Sequence, residues 1–67
     1  MLYWEIRYKR ADSEQISTET AQSFLEAFGI FTSIVMDDES DWCEVVTLTK
    51  SGHPLGDGVP VLAYNNM

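Results

Sequence analysis

Sixty-seven residues with four Lys+Arg against eleven Asp+Glu carry a net charge of −7. That length holds one domain, residues 1–67, with no room for a second core. Four bases are too few to neutralise a nucleic-acid backbone or to hold an anionic membrane surface, so neither is expected as a direct ligand.

Apolar residues make up 45% of the chain and aromatics 12%, which is too hydrophobic for a disordered acidic tail. Cys43 is the only cysteine, so no intrachain disulfide can staple the fold, and a lone thiol fits a reducing compartment. The opening Met-Leu-Tyr-Trp-Glu-Ile-Arg brings charge at positions 5 and 7 and is not expected to act as a signal peptide. No apolar run approaches the roughly 20 residues that span a bilayer, and a cytoplasmic location is expected.

In chain order, Leu2 to Lys9 alternates: Leu2, Trp4, Ile6 and Tyr8 share one face, and Tyr3, Glu5, Arg7 and Lys9 the other. This period of two predicts a strand. Arg10 to Ile16 is polar and reads as a connection. Ser17 then offers an N-cap, Glu19 sits near the positive end of a helix dipole, and Ile16 can staple against Ala21. Ala21, Phe24, Leu25 and Phe28 follow i, i+3, i+4, i+7, which predicts a three-turn helix with that face toward the core. Gly29 fits its left-handed C′ position. Ile30 to Met36 is β-branched and aromatic and reads as a second strand. Residues 37–41 form a polar turn, and Trp42 to Thr49 a third strand. Lys50 to Gly58, with three glycines and a proline, is a loop. Val59 to Tyr64 offers a short fourth strand, which Pro60 confines to an edge.

The expected fold is therefore α+β: a small, mostly antiparallel sheet with one helix packed on one face, in the order β-α-β-β with a short fourth edge strand. The helix and the row Leu2, Trp4, Ile6, Tyr8 would form the core. One helix covers one face only, yet both parities of the later strands are apolar. Tyr3, Phe31, Val35 and Trp42 are the residues this reading places on a second, open face, as aromatic and apolar contacts for a partner. A C-terminal segment carrying Val61, Leu62 and Tyr64 could fold over that face instead. Trp4 and Trp42 read first as core, and as anchors if exposed.

The densest charged feature is Asp37, Asp38, Glu39, Asp41 and Glu44. The spacing of Asp37, Glu39 and Asp41 suggests a calcium loop, but the Gly and Glu such a loop requires at its sixth and twelfth positions are Trp42 and Leu48 here. No metal or other cofactor is expected. The run reads either as a solvated turn or as a negative surface for a basic partner. Residues 1–10 carry three bases and one acid, a net +2; residues 11–67 carry one base and ten acids, a net −9. A surface so segregated steers association with basic proteins.

Cys43, His53 and Asp57 supply the residue types of a nucleophilic trio, but nothing in their spacing joins them, and no catalytic residues are expected. The run from Gly52 to Gly58 lacks the Lys-Ser/Thr of a phosphate loop, so its glycines read as turn residues.

In size, acidity and α+β plan the chain resembles the small inhibitors that phages and other mobile elements encode, anti-CRISPR proteins among them. No motif carries that resemblance, and no site residue is transferred from it. The functional expectation is a non-enzymatic, acidic protein-binding module. Its most specific form is a DNA-mimic-like inhibitor of a nucleic-acid-processing host protein with a basic surface. The alternative is a structural or accessory subunit that homo-oligomerises, as a homodimer in the simplest form, through the second face of its sheet.

Overall fold

The structure, a computed structural model, describes residues 2–37, 39–56 and 58–66. Two strands, β1 (Leu2–Arg10) and β2 (Ile16–Ala21), precede the helix α1 (Phe24–Val35); β3 (Ser40–Thr49) and β4 (Leu62–Asn65) follow it. All four strands join one antiparallel sheet in the order β2-β1-β3-β4. The chain is thus a small α+β fold, with its single helix on one face of the sheet.

The element order differs from the expected β-α-β-β. The segment from Ile16 to Ala21, expected to cap and open the helix, is a strand. Thr18 and Thr20 alternate with Ser17 and Glu19, a composition that suits a pleated edge better than a helix interior. It pairs with β1 from Lys9↔Ile16 to Trp4↔Ala21. The turn between them is pinned by Ser13 N donating to Arg10 O at 3.1 Å and Ala11 N donating to Glu39 O at 2.7 Å.

The helix starts six residues later than expected, at Ser23 rather than Ser17. The Ser23 hydroxyl accepts from Glu26 N at 3.1 Å, and Ser23 O accepts from Ala27 N. Ser-Phe-Leu-Glu is the S-x-x-E start signal, which Ser17 lacks, having Thr20 three residues on. Residues 30–35, expected as a strand, are the second half of this helix. Ala27, Ile30, Phe31, Ile34 and Val35 fall at i, i+3, i+4, i+7 and i+8, and all five pack on the core. β-branching lowers helix propensity by only a few tenths of a kcal/mol per residue, whereas burying one such side chain contributes about 1.5–3 kcal/mol. Burial therefore decides the element. Gly29 lies inside the helix and has no positive φ, so it is not the expected C′ residue.

The core lies between α1 and the sheet. Ile6, Ala21, Ala27, Cys43 and Val45 are buried, and Trp4, Tyr8 and Leu62 pack around them. Three of the four residues in the expected β1 row thus serve the core; Leu2, at the strand end, is 40% exposed. The register explains the layer: Ile6 faces Val45, Tyr8 faces Cys43, and Cys43 faces Tyr64. A shift between Lys9 and Arg10 leaves Asp41 as the extra residue at the start of β3.

The connection from residue 50 to 61 runs along the outer side of β3. Thr49 N donates to His53 O, Leu55 N to Thr47 O, and Val61 N to Val45 O. Gly52, Gly56 and Gly58 have φ of 87°, 62° and 75°, so the loop's turns need glycine there. β4 is an edge strand, and its pairing begins just past Pro60, which has no N–H to give. No helix among the described residues is long and apolar enough to cross a membrane.

Candidate protein-interaction surface

The acidic run is engaged within the chain. Arg10 ends β1 beside the turn that follows α1, and reaches Asp37 at 3.3 Å, Glu39 at 2.9 Å and Asp12 at 3.9 Å. Lys9 reaches Asp41 at 3.3 Å. Arg7 donates to Glu5 and lies 3.7 Å from Glu44, its partner across the β1–β3 ladder. Hydrogen bonding to Glu39 raises the Arg10 pKa, and hydrogen bonding to Glu5 raises that of Arg7, so both guanidiniums stay charged. Asp38 lies outside the described residues. The mildly basic first strand is therefore set within the sheet, where three of its side chains hold Asp37, Glu39, Asp41 and Glu44. The described acids that make no ion pair are Glu14, Glu19 and Glu26, all exposed. The carboxylates of the suggested calcium loop do not converge: Asp37 and Glu39 turn to Arg10, and Asp41 to Lys9.

The four apolar residues expected on one open face do not share a face. Phe31 and Val35 belong to α1 and pack against the core. Tyr3 and Trp42 lie on the sheet face away from the helix, both half-buried. On that face Val46 and Leu48 are buried, with Leu48 bridged to Pro54 of the loop. The middle of the face carries the Glu5, Arg7, Glu44 cluster. β4 sits beside β3 as an edge strand, with Leu62 packed on the helix side. The loop around Pro54, bridged to Leu48, is what meets the far face, and Leu62 and Tyr64 do not fold over it.

Cys43 and His53 are not brought together. Cys43 is buried beneath α1, and burial, with Glu44 adding to it, pushes its thiol up to about 11. A nucleophilic thiol needs the opposite shift. His53 lies in the exposed loop, with Nδ1 3.1 Å from Ser51 Oγ. Its backbone pairs at Thr49, six residues along β3 from Cys43, roughly 20 Å. Asp57 lies outside the described residues. A cleft of about 440 Å³ is lined by Trp42, Cys43, Glu44, Ala63, Tyr64 and Asn65. These residues all belong to the paired segments of β3 and the edge strand β4.

Ile16, Leu55, Val59 and Val61 are exposed on β2 and the loop, and a second open apolar surface is the back of the helix. Leu25 is 80% exposed and Met36 77%, while Phe24 and Phe28 are 44% and 46% exposed. The set expected to face the core (Ala21, Phe24, Leu25, Phe28) thus faces largely outward, apart from Ala21. Phe24 rests edge-on against Trp4, with centroids 6.4 Å apart at 66°, and stacks on Phe28 at 6.4 Å. Glu26 is the only charged residue from Phe24 to Met36. Gly29 is exposed in the middle of this surface, and a Cβ there would meet nothing within 4 Å. A helix-interior glycine costs about 1 kcal/mol relative to alanine, and nothing inside the chain requires one. Sequence reading missed this surface because it placed the helix start at Ser17. The Ser23-x-x-Glu26 signal would have turned Leu25 and Phe28 outward.

No protein-family model, curated protein or solved structure matches the chain.

Proposed function

We propose that this chain is a non-enzymatic protein-binding module that uses the outer side of α1 as its contact surface. The observation that carries the reading is the exposure of Phe24, Leu25, Phe28 and Met36 on a helix with one charged residue. Soluble chains seldom leave a contiguous apolar surface of this kind to water unless another surface covers it, and large aromatic side chains dominate such contacts. Apart from Glu26, Thr32 and Ser33, the helix carries apolar side chains on its outer side as well as its core side, which is the pattern of an element contacted on both sides.

The more specific reading, an inhibitor that docks Asp37, Asp38, Glu39, Asp41 and Glu44 on a basic groove, draws support from the net charge of −7. The ion pairs made by Arg7, Lys9 and Arg10 lower the charge that run can offer, so the apolar helix surface carries the proposal further. The test is a photo-crosslinking amino acid placed at position 25, and separately at position 18 on the far side of β2, in cells that produce the chain. A defined protein adduct from position 25 and none from position 18 is the expected result. No adduct from position 25 would overturn the reading.

A further inference from the structure

Leu25, Phe28, Gly29, Thr32 and Met36 recur at i, i+3, i+4, i+7 and i+11, one stripe along the solvent side of α1. Leu25 and Phe28 project from it. Gly29 leaves a gap beside them that none of the described residues fills. One helix face therefore carries both a knob and the space to receive one.

We infer that this face binds the same face of a second copy of the chain, the two α1 helices crossing antiparallel about a twofold axis that passes midway between Leu25 and Gly29. The inference rests on the protein-binding reading above and names the partner. A twofold contact requires a self-complementary patch. Here Leu25 of each copy would sit against the Gly29 gap of the other, and the absent side chain lets the two backbones approach.

Size and charge both select a second copy. Phe24, Leu25, Phe28 and Met36 leave on the order of 500 Å² open. This is about a tenth of the chain's 4602 Å² surface. Two copies would bury about 1,000 Å², the lower bound of a specific interface. The stripe itself bears no charge, so a basic partner finds nothing to pair with on it, whereas an identical uncharged stripe matches it. Glu26 flanks the stripe, and with the rest of the −7 on each copy it opposes approach. A dimer of this chain therefore tightens as salt rises, the reverse of docking on a basic protein.

The test is analytical ultracentrifugation of the purified chain from about 5 μM to about 1 mM, at low and high salt. A 7.6 kDa monomer in concentration-dependent exchange with a dimer, favoured by salt, is expected. Leu25→Glu should weaken the dimer at least about tenfold with the circular dichroism spectrum unchanged. Gly29→Ala should weaken it several-fold while holding or raising the melting temperature of the dilute monomer, a combination that simple misfolding does not produce. A strict monomer at every concentration overturns the inference. So does a dimer indifferent to both substitutions, which would place the contact on another surface such as the β2 edge. A monomer whose position-25 crosslinker still captures a different protein in cells overturns the second copy alone; a chain that does neither overturns the protein-binding reading as well.

Discussion

Trp4 of β1 and Phe24 of α1 meet edge to face, 6.4 Å between ring centroids. Trp4 pairs with Ala21 at the end of β2, and Ser23 caps the helix two residues on, so this contact closes the corner where the chain leaves the sheet. Trp4→Ala should lower unfolding free energy by about 3 kcal/mol, at the low end for a large aromatic because Trp4 is half-buried. Phe24→Ala, with 44% of the side chain already in water, should lower it by about 1 kcal/mol. A double-mutant cycle in urea should return a coupling of about 0.5–1.5 kcal/mol, and additive losses would show that the two rings do not communicate.

Ser23 and Ser17 separate two placements of the helix. Ser23 accepts a hydrogen bond from Glu26 N, whereas Ser17 lies exposed in the β2 edge opposite Tyr8. Ser23→Ala should destabilise the chain by about 1 kcal/mol, and Ser17→Ala by less than about 0.5 kcal/mol. Chemical denaturation followed by far-ultraviolet circular dichroism measures both. Equal effects, or a larger loss at Ser17, would contradict the helix boundary.

The sequence made the first and third strands legible, because alternation at Trp4, Ile6 and Tyr8 and the polar turn after Met36 are local signals. The last strand is an edge strand as expected, but it runs over Leu62–Asn65 rather than Val59–Tyr64, so Pro60 lies outside it and does not set its position. The helix was legible in kind but not in place. Ala21, Phe24, Leu25 and Phe28 satisfy helical spacing as well as Ala27, Ile30, Phe31, Ile34 and Val35 do. Only tertiary contact with Ile6, Cys43 and Val45 decides which set turns inward. That six-residue shift moved Phe31 and Val35 from an open sheet face into the core and put Leu25 and Phe28 on the surface. The pairing of Arg10 with Asp37 and Glu39 was hidden for another reason: the residues are 27 and 29 positions apart, and only the β1–β3 register brings them together.

Ser40 opens β3 and is 3% exposed, and among the described residues its hydroxyl has no hydrogen-bond partner. A buried hydroxyl left unsatisfied opposes folding by about 1–3 kcal/mol, while the methyl of alanine carries no such penalty. Ser40→Ala should therefore hold or raise stability by about 1 kcal/mol. Thermal and urea unfolding of the two proteins would check it, and a clear loss would mean that the hydroxyl is bonded in solution.

Cys43 ties stability to alkaline pH. Burial against α1 pushes its thiol from 9.0 up to about 11 in the folded chain, with Glu44 adding to the shift. The folded state thus keeps the thiol proton where the unfolded chain has released it. The contribution is fully present below pH 9 and is lost as pH rises through 11. Unfolding free energy should therefore fall across that interval. Tyr8, raised by burial and by Glu19, adds to the fall in the same direction. Cys43→Ala should flatten the Cys43 part of the slope and leave the Tyr8 part. The same shift makes the folded thiol unreactive: at pH 8 its thiolate fraction is about 100-fold below that of an unfolded cysteine, before steric protection is counted. Disulfide-exchange labelling at pH 8, native against urea-unfolded, should show at least that difference in rate. A native thiol that labels as fast as the unfolded one would remove Cys43 from the core and take the pH dependence with it.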